Sequence, residues 1–312
     1  MNNAIGFSLF LPQAGAPYAV LRDKARLLET LKYDGIWLVD HMFANGAEDM
    51  DFPEGWATLA GLAEATSSLR LGLLVTCNSY RNPALLAKIA ATVDCMSDGR
   101  LELGIGAGWM EEEYRAYGWD FPSVAERLGR LDEALQIITS MFASSRTSFE
   151  GKYYRVENAP LAPKPLQCPL PITIGGAGEK VLLRLVAKYA QRWNCPMTNA
   201  ADLPRLRSVL EAHCGRLGRE VEEIVVSEQL PVIIGRDDDQ LKEKLDLAKM
   251  MIGSFVDIET MAVLGTPDSV ADQLGRKIDT GVRDFALLFG DFGSPETLEL
   301  FADKVMPALR SA

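Results

Sequence analysis

The sequence predicts a (β/α)8 TIM barrel, and three observations support this prediction. Strand-like and helix-like segments alternate about eight times along the chain. The connections between them are short, as in folds that are built around a parallel sheet. The length of 312 residues suits a barrel of roughly 250 residues that carries additional segments. A doubly wound parallel sheet is the alternative, because only the number of repeats separates the two folds at this stage.

The strands are predicted from short apolar runs that are bounded by glycine, proline or polar residues. They cover residues 5–11, 36–39, 69–76, 101–106, 172–174, 192–195, 224–234 with a break at Pro231, and 285–289. The helices are predicted from apolar positions at helical spacing and from N-cap signals such as Asn82-Pro83 and Ser123. They cover residues 18–33, 55–66, 83–96, 179–189, 202–217 and 238–251, with others starting near residues 111, 124, 267 and 295.

One stretch departs from the repeat between the fourth and fifth strands. Residues 147–156 are typical of a hairpin around Gly151-Lys152, and residues 160–171 are rich in proline. We expect one domain over residues 1–312 with an insertion at about 144–170.

Charge and composition exclude several classes of partner. A formal net charge of −11 disfavours nucleic acid and anionic membranes, and no apolar run approaches the roughly 20 residues that span a bilayer. The first residues, Met-Asn-Asn-Ala-Ile-Gly, do not resemble a signal peptide. The five cysteines are scattered without a CxxC pair, and there are two histidines. We therefore expect a cytoplasmic protein without a metal site that acts on a small molecule.

The stretch from Leu101 to Tyr114 combines a strand, a glycine turn and a large aromatic residue, Trp109. Gly106 and Gly108 could adopt a positive φ or allow a ligand close to the backbone. Trp109 follows the turn and suits a flat ligand; the alternative is a tight βα turn with a buried tryptophan. A dinucleotide site is excluded, because the spacing is G-x-G-x-G and the glutamates at 111–113 would repel a pyrophosphate.

In a barrel, the functional site lies at the carboxyl ends of the strands. His41 follows the second strand directly and could act as a general base; the alternative is a histidine that only makes structural hydrogen bonds. Cys77 carries no sign of activation, so we expect a packing or ring-edge role. The residues that follow the strands are Asp40, His41, Thr76, Cys77, Asn78, Gly106, Ala107, Gly108, Trp109, Gly175, Gly176, Ala177, Gly178 and Asn194.

The glycine turn at residues 175–178 is the better candidate for a phosphate. It follows a strand and opens a predicted helix, where free backbone N–H groups can hold an anion. Lys180 and Arg184 lie on that helix, and the acidic run of the other glycine turn is absent. An ordinary βα loop is the alternative.

These motifs, in this order, resemble the bacterial-luciferase-like flavin-dependent oxidoreductases, and more narrowly their deazaflavin-dependent branch. The resemblance rests on Asp40-His41, the strand ending at Cys77 with Asn82-Pro83, residues 98–114, and Gly175–Glu179 with Trp193-Asn194. It implies a (β/α)8 barrel, a homodimer, and a flavin or deazaflavin at the strand ends. It also implies that His41 lies near the ring, that the Leu74–Val75 bond is a non-prolyl cis peptide or a bulge behind the ring, and that residues 175–178 hold the phosphate.

Two departures from the family bear on function. Trp109 occupies the position of a glutamate acid in some deazaflavin dehydrogenases, and Ala107 occupies that of an arginine in the luciferases. The resemblance implies hydride transfer between coenzyme F420 and an organic substrate, with His41 in the catalytic role. The alternatives are an FMN-dependent monooxygenase that uses O2 and a partner flavin reductase, and a non-catalytic flavin-binding barrel. The implied cofactor contacts are Asp40, Leu74, Val75, Thr76, Asn78, Gly106, Ala107, Gly108, Trp109 and Gly175, Gly176, Ala177, Gly178.

Overall fold

Eight parallel strands close into a barrel in the computed structural model, which describes residues 4–44 and 46–310. Around the barrel the order is β1 (Gly6–Phe10), β2 (Gly35–Leu38), β3 (Arg70–Leu73), β5 (Leu101–Gly106), β8 (Ile172–Gly175), β9 (Arg192–Cys195), β10 (Val225–Ile234) and β12 (Asp284–Phe289). Pairing of β10 with β12, and of β12 with β1, completes the ring. All eight barrel strands coincide with predicted strands, so the (β/α)8 TIM barrel is confirmed and the doubly wound alternative is wrong.

Four further strands decorate the barrel. They are β4 (Thr76–Cys77), which pairs with β5, β11 (Val263–Gly265), which pairs with the end of β10, and the antiparallel hairpin of β6 (Arg146–Glu150) and β7 (Arg155–Pro160). The hairpin was predicted and extends to Pro160. The strand β11 was not predicted, because its three residues are too few to show a pattern.

Twelve α-helices occur in the described residues, and most of them cover the outside of the barrel. They are α1 (Tyr18–Thr30), α2 (Gly55–Ala65), α3 (Pro83–Met96), α4 (Glu111–Ala116), α5 (Val124–Ala143), α6 (Leu182–Tyr189), α7 (Leu203–Leu217), α8 (Asp238–Met251), α9 (Ile258–Met261), α10 (Pro267–Asp279), α11 (Pro295–Leu300) and α12 (Met306–Arg310). Asn82 and Ser123 cap α3 and α5 through their side chains, as predicted. Within residues 4–44 and 46–310, no helix has the length and apolar character needed to cross a bilayer.

Two predicted strand boundaries need correction. The third strand does not run unbroken from 69 to 76, because a cis peptide bond between Leu74 and Val75 separates β3 from β4. The predicted break at Pro231 is absent, and β10 continues through it. In a parallel strand alternate residues face opposite neighbours, and Val232 faces β12. Pro231 therefore faces the opposite side of β10. On that side, pairing with β9 ends at Glu228 and pairing with β11 begins at Val232. Because Pro231 lies between these two pairings, the missing backbone N–H of proline costs the sheet no hydrogen bond.

The barrel interior changes character along its axis. At the amino ends of the strands, Arg192 forms ion pairs with Glu102 at 2.5 Å and with Asp284 at 2.7 Å. At the carboxyl ends, an apolar cluster fills one side of the interior; it contains Phe10, Trp37, Val39, Leu74, Ile233, Ala286 and Leu288, together with Ile252, Val256 and Ile258 from the segment after α8. On the other side, β5 and β8 end in Gly106 and Gly175. The carboxyl end of the barrel thus has an apolar side and a glycine side.

Candidate active site

His41 and Glu113 form a hydrogen-bonded pair of side chains at the carboxyl ends of the strands. His41 lies three residues after β2, and its Nδ1 donates to both oxygens of the Glu113 carboxylate, at 3.0 Å and 3.1 Å. The His41 side chain keeps about 30% of its surface exposed, whereas the Glu113 side chain is fully buried. Among the described residues, Nε2 has no hydrogen-bond partner, so this nitrogen is free to meet a substrate.

Glu113 is held in place from three directions. Besides His41, the amide of Met42 donates to its Oε1 at 2.6 Å, and the Tyr80 hydroxyl donates to its Oε2. Burial would raise the pKa of Glu113, but the hydrogen bonds from His41, Tyr80 and Met42 outweigh burial and lower the pKa below its usual range. Glu113 is therefore an anion at neutral pH, and it fixes the orientation and tautomer of the His41 ring.

Glu113 was missed as a functional residue in the sequence. It was interpreted only as one of three glutamates whose charges would repel a pyrophosphate, whereas in the structure Glu112 is exposed and Glu113 is buried. A signal was available: Met110, Glu113 and Tyr114 lie at spacings of three and four, and all three are buried. That spacing places Glu113 on the inner face of α4.

Trp109 is exposed and packs its edge against His41. Its surface is 67% exposed, and the ring centroids of Trp109 and His41 lie 5.5 Å apart at an angle of 80°. The alternative of a buried tryptophan in a βα turn is therefore wrong. A large aromatic ring that stays in solvent beside His41 offers apolar surface to a bound molecule.

Val75 fills a niche that three glycines create. A side chain on Gly106 or Gly175 would come within 2.6 Å and 2.9 Å of the Val75 methyl groups, and one on Gly104 would come within 1.9 Å of the Leu73 carbonyl oxygen. Gly106 has no positive φ, so it is required for close packing rather than for a turn. The cis bond between Leu74 and Val75, which the family resemblance implied, is confirmed.

Gly108 differs from these glycines, because both its conformation and its surroundings require it. Its φ is +81°, and a side chain would come within 2.1 Å of the Tyr114 hydroxyl and 2.6 Å of the Cys77 sulfur. Cys77 and Tyr114 lie in contact, with Sγ and Oη 3.2 Å apart. Burial raises the pKa of Cys77 to about 11, so the thiol stays protonated. This agrees with the expected packing role of Cys77.

The Asp40 carboxylate is committed to protein groups. Arg81 binds both of its oxygens, at 2.7 Å and 2.8 Å, and the Cys77 amide donates to Oδ2 at 2.8 Å. Burial raises the pKa of Asp40 to about 6, against the opposing effect of Arg81. Asp40 was expected to contact a cofactor; here it braces the strand ends that carry His41 and Cys77.

Two polar atoms next to Cys77 are buried without partners in the described part of the chain. They are Thr76 Oγ1 and Asn78 Oδ1, while Asn78 Nδ2 donates to the Tyr154 hydroxyl of the hairpin at 3.3 Å. Buried polar atoms without partners are costly, so a ligand or a water molecule is expected to satisfy them. The structure thus brings Thr76, Asn78 and His41 to the same end of the barrel, as the sequence predicted.

The helix that follows the turn at residues 175–178 begins later than predicted, because α6 starts at Leu182 rather than at residue 179. Gly176 has a φ of +131° and its amide donates to the Asn194 carbonyl, while its own carbonyl accepts from Trp193 Nε1. Within the described residues, the amides of Ala177 and Gly178 donate to no protein group. Ala107 and Ala177 are both partly exposed beside their turns.

The charge around this turn favours an anion. Glu179, the only acidic residue of the loop, pairs with Arg205 at 2.6 Å, and the Glu179 carbonyl accepts from His213 Nε2 at 2.8 Å. Lys180 is exposed next to it. Free amides beside an exposed lysine and a neutralised glutamate form a suitable site for a phosphate.

Comparisons with known proteins bear on this site. Residues 5–256 match the model of the luciferase-like monooxygenase family. The F420-dependent glucose-6-phosphate dehydrogenase of Amycolatopsis mediterranei is 26% identical over 331 aligned positions, covering 97% of this chain and 96% of that protein.

Two solved structures have the same fold. The coenzyme F420-dependent tetrahydromethanopterin reductase of Methanopyrus kandleri superposes with a TM-score of 0.83 at 21% identity, covering 98% of this chain and 99% of that one. An F420-dependent secondary alcohol dehydrogenase in complex with an F420-acetone adduct gives a TM-score of 0.86 at 20% identity, with coverage of 98% and 99%. At these identities the likeness establishes the fold.

Proposed function

The chain belongs to the luciferase-like monooxygenase family, and we propose that it is an oxidoreductase that transfers a hydride between coenzyme F420, a deazaflavin, and a small organic substrate. The observation that carries this proposal is the pairing of His41 with the buried carboxylate of Glu113 at the open end of the barrel. Such a pair is a proton acceptor with a fixed orientation, as hydride transfer from an alcohol requires.

Three residues, His41, Glu113 and Tyr80, would have different roles in that reaction. The deazaflavin supplies hydride chemistry when it is bound. The substrate gives up a hydride from carbon and a proton from oxygen, and His41 Nε2 accepts the proton. Glu113 stabilises the charged His41 ring, and Tyr80 keeps the carboxylate in position. In the opposite direction His41 returns the proton to a carbonyl oxygen.

The cofactor contacts fit a phosphorylated flavin analogue. The free amides of Ala177 and Gly178, with Lys180, would hold the phosphate, and Thr76 and Asn78 offer unpartnered polar atoms to a ring edge. Val75 and Trp109 would contact the ring system. Asp40 would contribute indirectly, because its hydrogen bonds to Arg81 and to the Cys77 amide hold the strand ends in place. Gly106 and Gly175 would contribute indirectly, because their lack of side chains leaves room for Val75.

The choice of cofactor rests on the relatives. Two relatives that are each 26% identical to this chain are named F420-dependent glucose-6-phosphate dehydrogenases, which supports a deazaflavin. The family model describes monooxygenases, which supports the second candidate, an FMN-dependent monooxygenase that uses O2 and obtains reduced flavin from a partner reductase. For either function we propose a cytoplasmic homodimer. The free Nε2 of His41 disfavours a non-catalytic flavin-binding barrel.

Equilibrium titration with deazaflavin and with oxidised FMN, followed by ring fluorescence, tests the proposal. The deazaflavin is expected to bind at least about tenfold more tightly, a difference of about 1.4 kcal/mol. Addition of a reducing substrate should then bleach the bound deazaflavin without consuming O2. Equal or tighter binding of FMN, or consumption of O2 during turnover, would favour the monooxygenase instead.

A further inference from the structure

One face of α7 forms the surface next to the proposed phosphate loop. Arg205 Nη1 lies 2.6 Å from Glu179 Oε1, and His213 Nε2 donates to the Glu179 carbonyl at 2.8 Å. Residues 205 and 213 are about two helical turns apart and therefore share a face of α7, which Arg216 extends by a further turn. Glu179 directly follows Gly178, whose free amide is proposed to hold the phosphate. This face of α7 therefore begins beside the phosphate position.

Arg216 continues this surface away from the loop. Its Nη1 donates to His213 Nδ1 at 3.4 Å. Because arginine has no hydrogen-bond acceptor, Nδ1 is the acceptor and the proton of the neutral His213 ring is on Nε2. The ring thus connects the Arg216 guanidinium to the Glu179 carbonyl through two hydrogen bonds.

Three cationic side chains lie on this surface, and we call Lys180, Arg205 and Arg216 the basic strip. Arg205 is compensated, since it pairs with Glu179 at 2.6 Å and with Asp202 at 3.3 Å. Lys180 and Arg216 are exposed, and within residues 4–44 and 46–310 neither forms an ion pair. The strip therefore has more cations than anions, although the formal net charge of the protein is −11. Such a local excess of positive charge attracts anions.

The length of the basic strip favours an extended anion. Arg205 and Arg216 are separated by about 16 Å along the helix axis, at about 1.5 Å for each residue. A single phosphate group is too small to contact both side chains and the loop. Coenzyme F420 continues beyond its phosphate into a chain of glutamate residues, whereas FMN ends at its phosphate. An oligoglutamate chain carries one carboxylate after another, which matches cations that are spaced along a helix.

We propose that the basic strip binds the carboxylates of the oligoglutamate chain of coenzyme F420. The inference rests on the proposed function, because it extends the same cofactor site beyond the phosphate. Ala177 and Gly178 hold the phosphate, and the chain follows α7, where its carboxylates meet Lys180, Arg205 and Arg216. FMN has no group that extends along the strip, so the strip raises the affinity for the deazaflavin over that for FMN.

Fluorescence titration of the full chain with two deazaflavins tests this inference without turnover. One is F420 with its glutamates, and the other is the same phosphorylated molecule without them. At low salt the glutamates should raise the affinity about three- to tenfold, because each exposed ion pair contributes up to about fivefold. The increase should disappear in about 0.5 M NaCl, because salt screens exposed charges. Equal affinity with and without glutamates at low salt would overturn the inference.

Arg216→Gln is the most specific variant, because in the described part of the chain Arg216 reaches Glu179 only through His213. At low salt it should weaken binding of F420 with glutamates about three- to fivefold and leave binding of the form without glutamates nearly unchanged. Arg216→Lys keeps the charge and should retain most of the affinity. A similar loss for both forms of the cofactor would show that Arg216 only positions the loop, and would refute the inference.

Arg276→Gln is the matched control. Arg276 is also exposed, and it lies on α10, which packs against β11 and α12. This variant removes the same charge from the protein and should change the affinity for neither form. Equal effects of Arg276→Gln and Arg216→Gln would show that only the overall charge matters, and would contradict a specific strip. Thermal melting would verify that all variants keep the fold.

These measurements also separate the inference from the proposed function. If the glutamates raise the affinity as expected but FMN supports turnover with O2, the basic strip stands and the hydride-transfer function fails. If the deazaflavin is reduced during turnover but its glutamates add no affinity, the function stands and the basic strip is wrong.

Discussion

At the scale of single residues, the proposed proton acceptor is His41. Its Nδ1 is occupied by Glu113 and its Nε2 is free, so removal of the ring should remove the proton acceptor and leave the fold intact. His41→Ala should lower turnover by roughly 10²- to 10⁴-fold. The affinity for the cofactor, measured by fluorescence titration, should change less than about threefold. Unchanged turnover at saturating substrate would exclude His41 from the reaction.

Glu113 gives a second prediction at this scale. Glu113→Gln keeps the size of the side chain but removes the charge that stabilises protonated His41. A charge-assisted hydrogen bond contributes roughly 1.5–3 kcal/mol, so turnover should fall about ten- to a hundredfold. The ascending limb of the pH–rate profile should also move to lower pH, because without the anion the catalytic base holds its proton less firmly.

Tyr80→Phe is the matched control for Glu113→Gln. It removes the hydroxyl that donates to the same carboxylate but leaves the carboxylate charged. Turnover should therefore fall less than about tenfold, and the ascending limb should stay near its position in the unmodified protein. An identical pH profile for Glu113→Gln and the unmodified protein would show that Glu113 has only a structural role.

These residues also show what the sequence could reveal about the site. His41, Thr76 and Asn78 were predicted because each follows a strand, and the barrel fold determines where strand ends lie. Glu113 sits on a helix, and its contact with His41 spans 72 positions in the sequence. A long-range pair of this kind depends on how α4 rotates against the barrel, which strand counting does not describe.

At the scale of elements, the loop at residues 175–178 should hold the cofactor phosphate. Ala177 offers a clean test, because it already has a side chain and, unlike Gly176, no positive φ. Ala177→Asp should weaken cofactor binding at least about tenfold, or 1.4 kcal/mol. Ala177→Asn, of the same size without the charge, should change it less than about threefold. A cofactor fragment without phosphate should bind both variants equally; if it loses as much affinity as the whole cofactor, the loop does not hold the phosphate.

The start of α11 yields a prediction about pH. Asp291 Oδ2 accepts hydrogen bonds from Lys244, Ser294 and Thr297, each at 2.7 Å. These hydrogen bonds outweigh burial and lower the pKa of Asp291 to about 2. A carboxyl group whose pKa is lower in the folded state stabilises the fold above its unfolded pKa, and this stabilisation is lost as the pH falls.

Asp291 should therefore contribute about 2 kcal/mol at neutral pH, a contribution that disappears between about pH 4 and pH 2. Asp291→Asn should lack this contribution at every pH. Urea denaturation of both proteins across this range measures it as a difference, in which the other carboxyl groups cancel. A difference that stays constant down to pH 2 would contradict the assignment.

Element boundaries were predictable only where a local signal marks them. Proline at the first helical turn fixed the starts of α3, α10 and α11 within one residue. The helix after Gly178 lacks such a signal and begins three residues later than its sequence indicated. The break in the third strand comes from the cis bond before Val75, and no residue type there signals it.

At the scale of the whole molecule, the order of strands was predictable because every repeat carries its own apolar run and connection. The side-chain contacts inside the barrel were not predictable from the sequence. Glu102, Arg192 and Asp284 come from three strands that are not adjacent around the ring, and they meet only because the strands pair in a particular register. Local patterning does not encode that register, so the buried ion pairs become visible only in three dimensions.

These ion pairs lie at the amino ends of the strands, away from the catalytic pair, so stability and cofactor binding should respond separately. Arg192→Met leaves Asp284 buried without its cationic partner and Glu102 with only Arg70, which lies 3.5 Å away and is partly exposed. Removal of one partner from a buried ion pair costs roughly 3–5 kcal/mol. Arg70→Met, which removes the more exposed partner of Glu102, should cost no more than about 1 kcal/mol.

The destabilisation by Arg192→Met should also depend on pH. Burial already raises the pKa of Asp284, and Arg192 is the group that opposes this effect. Without Arg192 the folded protein should hold a proton on Asp284 at higher pH, and a group whose pKa is raised by folding loses its stabilising contribution as the pH rises. The deficit of Arg192→Met in urea denaturation should therefore be larger at pH 8 than at pH 5, while the folded fraction binds the cofactor with unchanged affinity. A weaker cofactor affinity in Arg192→Met, with Arg70→Met as the control, would show that the ionic end of the barrel also shapes the active site.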